Sequence, residues 1–205
     1  MTLQITNKTI SHLIESNDVF ICDFDDSFTF NLFSDFTTLG YESVVVNYSE
    51  TKFFEKLSKR SKPYVLVLGP GPGHPNEYNL QFLDSFFKSN YAYLFGVCLG
   101  HQIILSKHGC AIESSRHIMH AQSTSIKDPE GVIFEKDKSY QVQRYNSLTV
   151  LASDNIKEDS YLLYDNNQEL MLVYNDKFLT VQFHPESIGT NCPNSLYNTA
   201  TKFLL

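Results

Sequence analysis

The sequence lacks the features that mark several common classes of protein. Its 205 residues include no tryptophan, and 23 Asp and Glu against 16 Lys and Arg give a formal net charge of −7. No basic cluster is stronger than residues 56–62, which argues against a nucleic-acid or anionic-membrane partner, because binding either begins with phosphate neutralisation. No stretch approaches the roughly 20 apolar residues of a membrane-spanning helix. Residues 1–20 also lack the basic and apolar regions of a secretory signal.

Cysteine is scarce and widely spaced. The four cysteines form no CxxC pair, so we expect neither a disulfide framework nor a zinc site, but reduced thiols in a cytoplasmic protein. They are Cys22, Cys98, Cys110 and Cys192. One of these thiols is therefore available as a nucleophile.

Apolar residues are plentiful and regularly patterned. They make up 42% of the chain, enough for the core of one domain. Apolar β-rich runs and helical periodicities alternate strictly through residue 108. Strands are predicted at 19–23, 43–48, 64–68 and 93–97, and helices at 28–39, 50–59, 76–88 and 101–108. This alternation predicts an α/β fold: a doubly wound, mostly parallel sheet with helices on both faces and ligands at the carboxyl ends of the strands.

The two ends of the chain follow other patterns. The second half predicts short β pieces and a closing helix, at 117–125, 131–134, 141–144, 148–151, 161–164, 171–174, 180–183 and 194–205. We predict an N-terminal extension at 1–17 and a single domain at 18–205. Ile10, Leu13 and Ile14 recur at helical spacing, so the extension is either a short helix packed on the domain or a partner, or a mobile tail.

Three unusual loops each follow a predicted strand, and the first carries a cysteine. Cys98 stands in the sequence GVCLG, between a strand and a helix. Glycines on both sides allow a tight turn that exposes the central side chain above the sheet. A helix N-terminus favours the thiolate, which is the reactive form. The pattern predicts a nucleophile elbow, although such a cysteine can also simply pack against the sheet.

The second loop, GPGPGHP, covers residues 69–75. Alternating Gly and Pro make a stiff loop whose backbone amides have little regular hydrogen bonding. A tetrahedral intermediate needs two N–H donors for its oxyanion, one from the residue after the nucleophile and one from a neighbouring loop. Leu99 and Gly71 are the candidates. A plain surface turn is the alternative for this loop.

The third loop lies in the sequence VQFHPES, where His184 is followed by Glu186. A thiolate nucleophile needs a general base, and the imidazole in turn needs an acceptor that orients it. Pro185 restricts the backbone between the two residues. An exposed histidine in a turn is the alternative.

Together, GPGPGHP, GVCLGHQ and VQFHPES resemble the class I (triad) glutamine amidotransferases, which have a flavodoxin-like sheet. The sequence DFDDSFTFNL at residues 23–32 and RYNSL at 144–148 are similar to segments of the amidotransferase subunits of anthranilate synthase and aminodeoxychorismate synthase. The resemblance covers residues 18–205.

The resemblance implies a role for each matching position. Cys98 would attack the side-chain amide of glutamine, and His184, oriented by Glu186, would move protons. Glutamine would be bound by Gly71, Pro72, Gly73, Gln102, Ser147 and Leu148. The ammonia would pass to a chorismate-binding synthase subunit (component I). No metal or cofactor is implied in this subunit, whereas the partner would use Mg²⁺.

Several positions depart from the family pattern. Asn146 stands where the family usually has histidine, and MHAQ at residues 119–122 replaces MHGK. The loop GPGPG favours the anthranilate route, whereas service to the aminodeoxychorismate route, or to both routes, stays open. A weakly active or non-catalytic subunit for assembly or regulation is a further alternative.

Other residues are given simpler interpretations. The cluster Asp23, Asp25 and Asp26 is also typical of a Mg²⁺-binding receiver domain, but that assignment leaves the loops of Cys98 and His184 unexplained. We expect His101 and His108 to face solvent. The aromatic residues within 28–36 are expected to pack in the core.

Overall fold

A mostly parallel sheet organises the chain in the computed structural model, which describes residues 7–192 and 194–205. The strands are β1 Val19–Asp23, β2 Ser43–Asn47, β3 Tyr64–Leu68, β4 Ala92–Val97, β5 Ala111–Ser114, β6 Gln122–Lys127, β7 Ser139–Arg144, β8 Leu148–Leu151, β9 Tyr161–Tyr164, β10 Leu170–Tyr174 and β11 Phe178–Val181. The α-helices are α1 Asn7–Ser16, α2 Thr29–Thr38, α3 Thr51–Leu57, α4 Leu83–Phe87, α5 Leu99–Lys107, α6 Asp154–Asp159 and α7 Ser195–Thr201. Short 3₁₀ helices cover Pro75–Glu77 and Lys202–Leu204.

Seven strands form the main sheet in the order β2-β1-β3-β4-β11-β10-β9. The five strands from β2 to β11 are parallel, whereas β10 and β9 add antiparallel pairs at one edge. Two separate antiparallel pairs, β5 with β8 and β6 with β7, lie outside this sheet. The predicted doubly wound, mostly parallel sheet is confirmed.

Both faces of the sheet are covered, because alternate residues of each strand point to opposite sides. In β1, Phe20 and Cys22 belong to one apolar cluster, which they share with residues of α1, α3, α4 and α5. Val19 and Ile21 belong to the other cluster, together with residues of α2 and α7. These two buried layers hold the strand ends, and so the loops that follow them, in fixed positions.

The N-terminal helix α1 belongs to the first apolar cluster. Ile10 and Ile14 are buried there, and Arg60 donates hydrogen bonds to the carbonyls of Ile14 and Asn17. A helix C-terminus leaves such carbonyls without intrahelical partners, so a cation there is stabilising. Residues 7–16 thus form a packed helix. Residues 1–6 lie outside the described residues, and the division of the chain at residue 17 stays a prediction.

One predicted helix is wrong over most of its length. Residues 76–88 contain a 3₁₀ turn and the short α4, with extended backbone between them at Tyr78. The Tyr78 ring packs against Phe24 and Tyr48, and its hydroxyl donates to the Pro72 carbonyl at 2.7 Å. These tertiary contacts fix Tyr78 in a non-helical conformation.

Three further differences lie in the second half. Residues 131–134 form a loop instead of a strand, because their N–H groups at 131, 133 and 134 donate to the carboxylate of Asp128. The strand predicted from 117 begins at Gln122. The sequence patterns also missed β5 and α6, the latter capped by the Ser153 hydroxyl. Within the described ranges, no helix has the length and apolar character needed to cross a lipid bilayer.

Candidate active site

Cys98 occupies a strained turn between β4 and α5. Its φ of +52° lies in the left-handed region, which non-glycine residues rarely adopt. The flanking glycines permit the turn: a Cβ on Gly100 would lie 1.9 Å from the carbonyl oxygen of Leu68, and one on Gly96 would lie 2.7 Å from that of Gly100. The structure thus has the geometry predicted for a nucleophile elbow.

His184 follows β11, the strand next to β4. Its N–H donates to the Gln143 carbonyl at 2.9 Å, which fixes the backbone. The Nδ1 atom is hydrogen-bonded to Oε1 of Glu186 at 2.6 Å, and both side chains are almost completely buried. Glu186 therefore orients the imidazole, and leaves the Nε2 nitrogen for another contact.

The electrostatic environment of His184 favours the imidazolium. Burial by itself would lower the pKa of His184, but the nearby Cys98 and Glu186 raise that pKa well above its usual value. The cause is the attraction between a positively charged ring and the thiolate and carboxylate beside it. The positive charge of the His184 imidazolium is therefore stabilised between Cys98 and Glu186.

Two aromatic rings enclose the imidazole. The ring centroids of Phe28 and Tyr145 lie 5.2 Å and 4.9 Å from that of His184, both in edge-to-face arrangements. The Tyr145 hydroxyl is 3.2 Å from Oγ of Ser187. The sequence patterns placed Phe28 in the core and gave Tyr145 no role of its own, and only their meeting in space identifies them as neighbours of His184.

A small cavity of about 120 Å³ opens beside the cysteine. Every residue that the resemblance assigned to glutamine binding lines it, together with Cys98, Leu99, Tyr145 and Asn146. The predicted residues are Gly71, Pro72, Gly73, Gln102, Ser147 and Leu148. The cavity is smaller than the roughly 300–1,000 Å³ of sites for drug-sized ligands, so it suits a molecule the size of an amino acid.

The two predicted oxyanion donors meet at this cavity. A Cβ on Gly71 would lie 2.5 Å from Cδ2 of Leu99 and 2.6 Å from Cβ of Phe24, so only glycine lets the loop approach so closely. Leu99 is the first residue of α5, where the N–H has no intrahelical acceptor. Both residues therefore line the cavity beside Cys98, and their role as oxyanion donors stays a prediction.

Asn146 belongs to a buried polar network. Its Oδ1 accepts from Nε of Arg144 at 3.0 Å, and its Nδ2 donates to the Leu148 carbonyl at 2.8 Å. Arg144 is fully buried and pairs with Asp165 at 2.8 Å and with Glu169. Asparagine at this position thus ties the loop that lines the cavity to a buried ion pair.

Three of the simpler interpretations need correction or closer description. His101 is fully buried, with Nδ1 2.9 Å from Oγ1 of Thr180, and burial lowers its pKa to about 3, so the expectation that it faces solvent is wrong. His108 is half-buried, with Nδ1 2.9 Å from the Ile104 carbonyl. Of the aromatic residues at 28–36, Phe36 is in the core, but Phe30 is 62% exposed.

The aspartates after β1 hold the loop that follows the strand. Asp23 accepts from the Thr29 hydroxyl at 2.7 Å, and Asp25 accepts from Nδ2 of Asn47 at 2.7 Å. In the part of the chain that the structure describes, no group of three or more His, Cys, Asp or Glu side chains is placed to hold a metal ion.

The departure from the family pattern at residue 121 has a backbone consequence. Ala121 has a φ of +53°, in the left-handed region where glycine is at ease and alanine is strained. The loop therefore has an alanine at a position whose backbone conformation favours glycine.

Relatives with assigned names cover most of this chain. Anthranilate synthase component 2 of Helicobacter pylori (strain ATCC 700392 / 26695) is 33% identical over 191 residues, which cover 91% of this chain and 97% of that protein. Aminodeoxychorismate synthase component 2 of Serratia marcescens is 31% identical over 170 residues, which cover 80% and 88%.

The crystal structure of a glutamine amidotransferase from Thermotoga maritima has the same fold, with a TM-score of 0.61 at 16% identity over 91% of this chain and 83% of that one. The family model described as glutamine amidotransferase class-I matches residues 20–202. The chain therefore belongs to the class I glutamine amidotransferases.

Proposed function

We propose that this chain is the glutaminase subunit of a chorismate-using synthase. The relatives named as component 2 of anthranilate synthase and of aminodeoxychorismate synthase support the assignment. One observation carries it: the buried imidazole of His184 lies between Glu186 and Cys98, and Cys98 lines a cavity of amino-acid size.

In the first half-reaction, the Cys98 thiolate attacks the side-chain amide carbon of L-glutamine. The C–S bond forms as the carbonyl electron pair moves to oxygen, where the N–H groups of Leu99 and Gly71 stabilise the oxyanion. The His184 imidazolium donates its proton to the amide nitrogen. Collapse of the tetrahedral intermediate breaks the C–N bond and releases ammonia, leaving a γ-glutamyl thioester.

In the second half-reaction, His184 is neutral and acts as a general base. It takes a proton from a water molecule, which attacks the thioester carbon. The C–S bond breaks, glutamate leaves, and the pair of Cys98 thiolate and His184 imidazolium is restored. Glu186 keeps the ring oriented through both steps and stabilises its positive charge.

The ammonia is consumed by a component I subunit that binds chorismate. This chain needs no metal or organic cofactor for its half-reaction, and Mg²⁺ belongs to the partner. All four cysteines are free thiols, which fits a reducing, cytoplasmic location for an enzyme with a cysteine nucleophile. Nucleic acid and membranes are not partners of an acidic subunit of this kind.

The route served is that of anthranilate, with aminodeoxychorismate as the alternative. The loop sequence GPGPG favours anthranilate, and relatives carrying either name reach 31–33% identity. Co-purification with each candidate component I, followed by identification of the aromatic product formed from chorismate and glutamine, decides between them. A product of the aminodeoxychorismate type alone would refute the anthranilate assignment.

The glutaminase activity is tested with Cys98→Ala and the matched variant Cys192→Ala. Cys192 is half-buried and does not line the cavity. With component I present, Cys98→Ala should lose glutamine hydrolysis and labelling by a glutamine-analogue diazo-ketone, whereas Cys192→Ala should keep both. Unchanged hydrolysis in Cys98→Ala would refute the mechanism, and absence of labelling in the wild-type protein would favour a non-catalytic assembly subunit.

A further inference from the structure

A pair of buried amide side chains connects the cavity to the sulfur of Cys98. Gln182 is fully buried, and its Nε2 donates a hydrogen bond to Sγ of Cys98 at 3.7 Å. Gln102, which lines the cavity and is 3% exposed, donates from its own Nε2 to Oε1 of Gln182 at 3.1 Å. The mechanism above gives no role to Gln182.

The parallel pairing of β4 with β11 explains why Gln182 lies beside Cys98. Val97 is paired with Val181, so the next residue of each strand emerges at the same level of the sheet. The Cys98 N–H donates to the Val181 carbonyl at 2.9 Å, and the Gln182 N–H donates to the Met171 carbonyl at 2.9 Å. The backbone of Gln182 is therefore fixed on the side next to Cys98, and its side chain only has to span one strand spacing.

Gln102 stands one turn further along α5. Its N–H donates to the Cys98 carbonyl at 3.2 Å, so its side chain rises from the same turn that carries the cysteine. By donating to Oε1 of Gln182, Gln102 occupies the acceptor end of that amide and leaves the N–H₂ end for the sulfur. An amide that is held at one end loses little further conformational entropy when it contacts the other group.

An N–H donor aimed at sulfur has a definite chemical effect. Hydrogen bonds to the charged form of a group favour that form, and the effect is largest where water is excluded. The ionisable group that faces the sulfur is His184, itself bonded to Glu186. The neighbouring side chains of α5 add no charge beside the sulfur, since Gln102 is neutral and His101 is hydrogen-bonded to Thr180.

We propose that Gln182 is a positioning residue, which holds the Cys98 sulfur and stabilises its thiolate through an N–H···S hydrogen bond, and that Gln102 fixes the orientation of Gln182. The assignment rests on the proposed function, in which Cys98 is the nucleophile. Gln182 adds a neutral N–H donor to the sulfur, from the side on which β11 pairs with β4. This donor acts together with the positive charge of the His184 imidazolium.

The test is the pH dependence of Cys98 alkylation by iodoacetamide in the full chain, read by mass spectrometry of the Cys98 peptide so that the other cysteines do not interfere. Gln182→Met keeps the length of the side chain and removes the donor. We expect the midpoint of the alkylation profile to rise by about one pH unit, the effect of losing one donor to a charged acceptor. Gln102→Met should also raise the alkylation midpoint, but by a smaller amount.

Thr180→Val is the matched control. Thr180 is fully buried on β11 and hydrogen-bonded to a neighbouring side chain, but that side chain is His101 and not Cys98. Its alkylation midpoint should equal that of the wild-type protein. A shift in Thr180→Val as large as that in Gln182→Met would assign the effect to loss of any buried hydrogen bond and would overturn the proposal.

Gln182→Glu is the second variant, for use if Gln182→Met does not fold. It preserves the shape of the side chain and places a carboxylate beside the sulfur, so the midpoint should rise by more than one unit. A midpoint that does not move in either folded variant overturns the proposal. A midpoint that falls in Gln182→Met also overturns it, because it would mean that the amide carbonyl faces the thiol proton.

The result is independent of turnover. Alkylation is measured without glutamine or a partner subunit, so a wild-type protein that never hydrolyses glutamine refutes the proposed function and leaves the midpoint shift to be judged separately. Conversely, an active enzyme whose midpoint is insensitive to residue 182 refutes only the role of Gln182.

Discussion

The Nδ1 atom of His184 lies 2.6 Å from Oε1 of Glu186, two residues along the same loop. The carboxylate both orients the ring and helps to raise its pKa. Glu186→Gln keeps the shape of the side chain but removes the charge, so the pKa of His184 should fall and the imidazolium should be lost at lower pH. We expect kcat for glutamine hydrolysis to fall by about 10²–10⁴-fold.

This prediction is checked by steady-state kinetics with component I present and by NMR titration of the His184 ring. Glu55→Gln is the control, because Glu55 is exposed on α3, outside the cavity. Its kcat should match the wild type. Turnover by Glu186→Gln at the wild-type rate would contradict the role given to the carboxylate.

The close packing at Gly100 is a second target. A Cβ on this residue would meet the Leu68 carbonyl at 1.9 Å, so Gly100→Ala must push α5 and the Cys98 turn away from β3. We expect a loss of about 3 kcal/mol or more in the free energy of unfolding, at the upper end of overpacking costs, together with loss of diazo-ketone labelling.

Gly109→Ala separates this steric effect from backbone strain. Gly109 has a φ of +79°, but a Cβ there would have no atom within 4 Å. Gly109→Ala should therefore lower the free energy of unfolding by only about 1 kcal/mol, because alanine is strained in the left-handed conformation. Diazo-ketone labelling should be retained. Urea unfolding and labelling of both variants test the difference, and equal losses would speak against the packing argument.

The strain at Ala121 predicts a stabilising substitution. Relief of the left-handed conformation is worth about 1–2 kcal/mol, from which the larger entropy of glycine in the unfolded chain subtracts about 0.4–1 kcal/mol. Ala121→Gly should therefore raise the free energy of unfolding by roughly 1 kcal/mol, and by no more than about 1.6 kcal/mol. Ala152→Gly, at a residue with negative φ, should lower it by a similar amount. Destabilisation by both variants would rule the strain out.

The contribution of Asp128 to the free energy of unfolding depends on pH. Burial would raise its pKa, but hydrogen bonds from the Phe134 N–H, the Tyr161 hydroxyl and the N–H groups of Ile133 and Gly131 lower it to about 2. A lowered folded-state pKa stabilises the protein above the unfolded-state value of about 3.9, and that stability is lost as the pH falls through about 2. Asp128→Asn should thus cost about 2 kcal/mol at pH 7, and the difference from wild type should shrink below pH 4.

Asp137→Asn is the comparison for this measurement. Asp137 forms an exposed ion pair with Lys127 at 3.3 Å, and its removal should cost less than about 1 kcal/mol. Urea unfolding between pH 7 and pH 3 measures both variants. A cost for Asp128→Asn that stays constant over this range would contradict the lowered pKa.

Where the predicted and observed strands agree, the local sequence pattern was sufficient to predict them. Apolar runs bounded by turn residues identified β1 and β3 at their true ends, because strands buried on both faces have few alternatives. The failures are local patterns overridden by tertiary contacts, such as Tyr78, which packs against distant aromatic rings, and residues 131–134, whose N–H groups bind a carboxylate.

The sequence by itself determined the parallel sheet and the loops that carry Cys98, His184 and the glycine-rich segment, because strand-loop-helix periodicity and glycine placement are local properties of the chain. Only the tertiary structure decided which side chains surround the sulfur and the imidazole. Gln182 reaches Cys98 because β11 lies beside β4, and Phe28 and Tyr145 meet at His184 from distant parts of the chain. Such contacts depend on strand order and register, which bring together residues that no short sequence pattern relates.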